Sequence, residues 1–108
     1  MTVAGTVAIT RDDLWSVAYW AFHWVVEYLI DHVDDADIVS RLREIEDNNL
    51  GWVGLDDFSV EQRQKILPIL QHEIVPDAER RLVPQDPDRE SAISVIRELA
   101  DMARSRTT

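Results

Sequence analysis

Cysteine is absent from the 108-residue sequence. Its absence excludes disulfide bonds, zinc–thiolate sites and thiol nucleophiles. A chain without disulfides is typical of a reducing compartment, and we predict a cytoplasmic protein. The first ten residues, MTVAGTVAIT, lack the basic segment and the long apolar run of a secretion signal, so we expect no such signal there.

Basic residues are scarce, since 11 lysines and arginines face 21 acids and the net charge at pH 7 is −10. Residues 1–60 contain twelve acids and three bases, a net charge of −9, whereas residues 61–108 contain nine acids and eight bases, a net charge of −1. An acidic surface repels phosphate and anionic lipid and attracts basic proteins. We therefore expect a basic protein as the partner, and neither nucleic acid nor a membrane.

An apolar run of membrane-spanning length is also missing. The aromatic-rich stretch LWSVAYWAFHWVVEYLI, residues 14–30, is shorter than the roughly 20 apolar residues of a transmembrane helix and contains a histidine and a glutamate. Its apolar residues recur every three or four positions, which indicates a helix buried on most sides. We predict this helix over about residues 11–33, with Thr10 and Asp13 as its capping box.

Capping residues predict where the next two helices begin. The second helix is expected to start after Asp34–Asp35 and to reach about Asp47. Residues 47–59 are predicted to form a loop, because Asn, Gly and Asp cluster there. Ser59 and Gln62 form a capping box for the third helix.

Prolines interrupt the second half of the chain. Pro68 and Pro76 fall inside the apolar stripe of the third helix, and each lacks a backbone N–H, so we predict a kink or break at one of them. Asp86 is predicted to cap the last helix, with Pro87 at its first helical position.

These elements predict an all-α fold, a compact bundle of four to five helices around an aromatic-rich first helix. In this interpretation residues 1–108 form a single helical domain, with residues 1–9 and 105–108 flexible. Only TVAIT, residues 6–10, alternates enough to indicate a short strand. The predicted core contains Trp15, Phe22, Val26, Leu29, Leu70, Ile74, Ile96 and Leu99.

His23 and Glu27 lie four residues apart and therefore share one helical face. The spacing suits a metal-binding or acid–base pair, and it equally suits a local hydrogen bond at the edge of the core. A metal site needs further ligands, and the only other histidines are His32 and His72. We favour the hydrogen bond, and we predict no metal and no other cofactor.

Acidic residues cluster where the first two predicted helices meet. A calcium-binding loop that starts at Asp35 fails, because its fifth position is Val39 and its sixth is not glycine. The cluster is therefore interpreted either as helix termini on a solvated face or as a docking surface. Trp52, in the loop NNLGWVGLDD, is interpreted either as an interface residue or as a core anchor of the loop together with Leu55. The predicted partner-binding residues are Asp34, Asp35, Asp37, Trp52, Asp56 and Asp57.

Two segments, GLDDFSVEQRQKIL and HEIVPDAERRL, resemble small, acidic, helical bacterial proteins. These include the immunity proteins of toxin–immunity systems, among them contact-dependent inhibition. The resemblance covers roughly residues 40–82 and includes no catalytic motif. It implies a protein that uses an acidic surface to cover a basic toxin domain, often a nuclease.

Binding is favoured over catalysis, because the sequence has no glycine-rich phosphate loop and no GxSxG elbow. We therefore predict that the protein is not an enzyme. The first hypothesis is an immunity protein that neutralises a basic partner. The alternative is a homo-oligomeric helical interaction protein of a bacterial regulatory or structural system, for example a homodimer. A small enzyme that uses His23 and Glu27 is the third hypothesis.

Overall fold

Helices and a small mixed sheet build an α+β fold, so the prediction of an all-α bundle is wrong. The computed structural model describes residues 4–10, 12–82 and 89–105. In chain order the elements are β1 (Ala4–Ala8), β2 (Leu14–Ala18), α1 (Tyr19–His32), α2 (Ala36–Asp47), β3 (Trp52–Gly54), a 3₁₀ turn (Leu55–Asp57), α3 (Val60–Pro68), a π-helical turn (Ile69–Glu73), α4 (Ile74–Arg81) and α5 (Arg89–Arg104).

The sheet begins with a β-hairpin where a helix was predicted. β1 and β2 pair antiparallel, and α1 begins only at Tyr19. Thr10 and Asp13 do interact, with a hydrogen bond of 2.8 Å between their side chains, but they close the hairpin turn and do not cap a helix. The same residue types favour both structures, since their side chains satisfy backbone and neighbouring polar groups in turns as well as at caps.

β1 is the middle strand of the sheet, because β3 pairs with its other edge in parallel. Of the segment 1–9 that was expected to be flexible, the structure places residues 4–8 in this strand, and Ile9 beyond them is buried. β3 also lies inside the predicted loop 47–59. A strand of three residues carries almost no local signal, and its pairing partner lies more than 40 positions earlier in the chain.

The predicted core is confirmed, since all eight residues proposed for it are buried and belong to one hydrophobic cluster. Phe22, in α1, packs directly onto the backbone of β1 at Gly5. A Cβ atom at Gly5 would lie 2.1 Å from Cγ of Phe22, so only glycine allows the helix to approach the sheet this closely. Among the described residues, no helix is both long and apolar enough to cross a membrane.

The boundaries predicted for the later helices are largely confirmed. Ser59 and Gln62 form the capping box of α3, and Asp35 caps α2. The helix after Ser59 is interrupted between its two prolines by the π-helical turn, as a proline-induced break requires. α5 buries the predicted stripe around Ile96 and Leu99. The predicted cap residues at 86 and 87 lie outside the described residues, as do residues 106–108.

Candidate functional site

The six residues predicted to bind a partner form two neighbouring groups. Asp34, Asp35 and Asp37 lie at the start of α2, and Trp52, Asp56 and Asp57 lie in β3 and the 3₁₀ turn. Arg41 connects the groups, because its guanidinium lies 3.4 Å from the Asp37 carboxylate and donates a 2.9 Å hydrogen bond to the Asp57 carbonyl. The Arg41 guanidinium also lies over the Phe58 ring, which holds it in place.

The acids of the first group have different roles in the structure. Asp35 accepts hydrogen bonds from the backbone N–H groups of Asp37 and Ile38 and forms an ion pair with Lys65 at 3.1 Å. These N–H donors, above all that of Ile38, and the Lys65 ammonium lower the pKa of Asp35 below its usual value. Asp34 is exposed, and its carboxylate pairs with no described residue. Asp35 is therefore a structural cap, whereas Asp34 is available to a partner.

Trp52 is the most accessible part of the second group. It lies on the edge strand β3 with 46% of its surface exposed, between two open grooves of about 190 and 330 Å³. Trp52, Gly54 and Asp57 line both grooves. A Cβ atom at Gly54 would lie 3.0 Å from Nε1 of Trp52 and 2.9 Å from the Asp57 carboxylate, so glycine gives both side chains room. The interpretation of Trp52 as a buried core anchor is therefore wrong, whereas Leu55, which was named with it, is buried in the core.

Two exposed leucines extend the apolar surface around Trp52. Leu14 lines one groove and Leu50 the other, and both are about half exposed. The chain reaches Leu50 through a Schellman turn, in which the backbone N–H of Leu50 donates to the Ile45 carbonyl and that of Asn49 donates to the Glu46 carbonyl. Asn49 occupies the left-handed position that this motif requires, with φ of 50°.

Carboxylates border this apolar surface. Asp56 forms an ion pair with Arg63 at 3.4 Å. The carboxylates of Asp57 and Glu44, which line the grooves, form no ion pair with any described residue. We name Leu14, Glu44, Leu50, Trp52 and Asp57 together the Trp52 surface. It combines an exposed aromatic residue with two carboxylates that form no ion pair with a described residue, and Arg41 lines one of its grooves.

A second cluster forms where His23 and Glu27 of α1 meet Glu46 of α2. The potential ligand atoms of the three side chains all lie within 4.8 Å of one another. The His23 Nδ1 atom contacts the Glu46 carboxylate directly, and no hydrogen bond joins His23 to Glu27. The predicted local hydrogen bond within α1 is therefore wrong, because the partner of His23 comes from the next helix.

Glu46 was not identified from the sequence, although a signal was present. The connection between α1 and α2 is short, so residues equally far from it face each other across the helix pair. His23 lies about as far before this connection as Glu46 lies after it. Burial raises the pKa of Glu46; the imidazole of His23 opposes this rise, and the carboxylates of Glu27 and Asp47 add to it.

His32, the other histidine of α1, belongs to a polar cluster between α1 and α4. Its ring stacks on Tyr28, and the Tyr28 hydroxyl donates hydrogen bonds to the Asp77 carboxylate and the Glu73 carbonyl. Asp77 also contacts Arg80. Burial raises the pKa of Tyr28, which keeps the phenol a hydrogen-bond donor. Because its groups bind one another, this cluster serves to join the two helices.

Comparison with known proteins does not assign the chain to a family. No family model matches the sequence, and neither a curated protein nor a solved structure matches it. The function is therefore inferred from the Trp52 surface and from the distribution of charge.

Proposed function

We propose that this protein binds a basic protein partner through the Trp52 surface. The observation that carries the proposal is the position of Trp52 on an edge strand, half exposed between two grooves with unpaired carboxylates beside it. Exposed aromatic residues in a continuous apolar patch are typical of interfaces, and tryptophan is frequent among the residues that dominate binding energy. The grooves beside the indole would receive apolar side chains of the partner.

The acidic residues define the chemistry of this partner. Asp57 and Glu44 would pair with lysine or arginine side chains at the rim of the contact. Asp34 extends the negative potential along the start of α2, while Asp35, Asp37 and Asp56 are already paired within the protein. Charge attraction therefore comes from fewer residues than the sequence predicted, and Trp52 contributes most of the affinity.

Neutralisation of a basic toxin is the specific form of this function that we propose. The resemblance to immunity proteins and the concentration of negative charge in residues 1–60 support it. An inhibitor of this kind acts by covering a surface of the toxin, so it needs no catalytic group of its own. The partner would carry lysines and arginines around an apolar site that accepts the Trp52 indole.

Affinity capture from the native host tests the proposal. Wild type, Trp52→Ala and Trp20→Ala serve as baits at low salt, and mass spectrometry quantifies each captured protein. Trp20 is the matched control, because it is 52% exposed but lies on α1 outside the Trp52 surface. We expect a basic protein retained by wild type and Trp20→Ala and lost from Trp52→Ala. Equal retention by all three baits would contradict the proposal.

Self-association is the second candidate, and the exposed indole of Trp20 favours it. A homo-oligomer formed through α1 would dissociate in Trp20→Ala and persist in Trp52→Ala. Sedimentation velocity over a range of protein concentrations measures this directly. We expect all three proteins to sediment as monomers; an oligomer of the wild type that only Trp20→Ala disrupts would replace the partner-binding proposal.

A further inference from the structure

A site for a divalent metal ion can be argued from the cluster that joins α1 to α2. His23 and Glu27 lie one helical turn apart on α1, and Glu46 projects from α2 toward them. Each of the three residues offers one potential ligand atom. These three atoms all lie within 4.8 Å of one another. Because the packed helices α1 and α2 carry these side chains, the fold itself brings three potential ligands together.

The combination of ligands indicates which ions fit. One imidazole with two carboxylates suits Zn²⁺ and other first-row divalent metals, for which three protein ligands and one open position are common. Calcium and magnesium prefer sites made entirely of oxygen ligands. His23 is about half exposed, so the remaining coordination positions face water.

An unsatisfied oxygen atom on Glu46 is the second, independent observation. The Glu46 side chain is only 10% exposed, and its Oε1 atom is buried without a hydrogen-bond partner among the described residues. A buried carboxylate oxygen without a partner is costly. The contact of His23 with Oε2 accounts for one oxygen only, and no described lysine or arginine pairs with Glu46. A bound cation would satisfy the other oxygen.

We propose that His23, Glu27 and Glu46 bind a first-row divalent metal ion, with Zn²⁺ as the best fit. The ion would connect α1 to α2 and would neutralise part of the negative charge of this region. This site is separate from the Trp52 surface, and the proposal does not depend on the proposed partner. It replaces the sequence-based expectation that the protein binds no metal.

Calorimetric titration of Zn²⁺ into tag-free, chelator-treated protein tests the site. We expect one saturable site per chain and a rise in melting temperature with Zn²⁺ concentration. His23→Asn and Glu46→Gln should each weaken binding by more than about tenfold, since loss of outer-shell partners alone costs roughly 10–100-fold in affinity. Glu27→His should strengthen it, because imidazole is a preferred ligand of Zn²⁺.

Two further variants control for non-specific binding. Glu98→Gln removes one charge from an exposed position of α5, and His72→Asn removes an exposed histidine elsewhere. Both should bind Zn²⁺ with wild-type affinity. Circular dichroism of each variant checks that the fold is kept, and Co²⁺ absorption reports direct coordination. Absence of saturable binding, or binding unchanged in both His23→Asn and Glu46→Gln, would overturn the proposal.

Discussion

Residues 4–60 differ from the described residues after residue 60, here called the helical region, in the large apolar side chains that they expose. The first region contains every large apolar side chain that is exposed among the described residues, and the region after residue 60 contains none. The first region also belongs to the half of the sequence with a net charge of −9, whereas the other half carries −1. The exposed apolar residues are Leu14, Trp20, Leu50, Trp52 and Val60.

Ion pairs join several charges of the helical region to one another. Glu79 pairs with Arg97, and Asp101 pairs with Arg104. Near the Trp52 surface, Glu44 and Asp57 form no ion pair with a described residue. In the helical region the same is true of Glu61, Glu73 and Glu98. Solubility alone would be served by charges spread over both regions. What distinguishes residues 4–60 is that carboxylates without an ion pair lie beside exposed apolar side chains, and this combination indicates a contact surface.

The largest expected effect separates the core from this contact surface. Phe22→Ala should lower the free energy of unfolding by about 3–5 kcal/mol, because removal of this large aromatic side chain would leave a cavity between α1 and the sheet. Trp52→Ala should lower it by about 1 kcal/mol or less, since Trp52 is half exposed. Chemical denaturation measures both values. A larger loss for Trp52→Ala than for Phe22→Ala would reverse the assigned roles.

A smaller difference in the free energy of unfolding is expected between alanine substitutions at two glycines. Gly5→Ala should destabilise the protein by about 1–3 kcal/mol, because its Cβ would overlap the buried Phe22 ring. Gly54→Ala should cost less, since its Cβ would meet the Asp57 carboxylate at the end of a side chain that can move. Gly54→Ala should nevertheless weaken partner binding by displacing that carboxylate. Equal denaturation midpoints for the two variants would contradict the close packing of α1 on β1.

The smallest expected effect on stability distinguishes the adjacent acids Asp34 and Asp35. The folded-state pKa of Asp35 lies below its ordinary value of 3.8, so its contribution to stability is present above that value and is lost as the pH falls through the folded pKa. Asp35→Ala should therefore lower the melting temperature at pH 7, and the difference from wild type should narrow on acidification. Asp34→Ala should leave the melting temperature unchanged. A pH-independent difference for Asp35→Ala would show that its ionised carboxylate does not stabilise α2.

Local signals in the sequence predicted much of the helical region. The capping box of Ser59 with Gln62 and the cap at Asp35 involve residues at most three positions apart, so the sequence displays them directly. The break near Pro68 follows from the missing backbone N–H of proline.

The sheet and the cluster of His23, Glu27 and Glu46 depend on contacts that local patterns do not contain. β3 forms because β1 offers an open edge, and Trp52 is exposed because it lies on the face of β3 opposite to the buried Val53. Glu46 reaches His23 only once α1 and α2 have packed together. At Thr10 and Asp13 the local signal was ambiguous, and the pairing of β1 with β2 decided in favour of a hairpin.

Dissociation kinetics of the captured partner test the central claim most directly. Wild type, Trp52→Ala and Trp20→Ala are compared at low and physiological salt. We expect Trp52→Ala to raise the off-rate about 30-fold or more, as loss of a dominant interface residue costs roughly 2 kcal/mol or more. Trp20→Ala should leave the off-rate unchanged, and added salt should mainly slow association. An off-rate unchanged by Trp52→Ala would contradict the assignment of the Trp52 surface as the binding site.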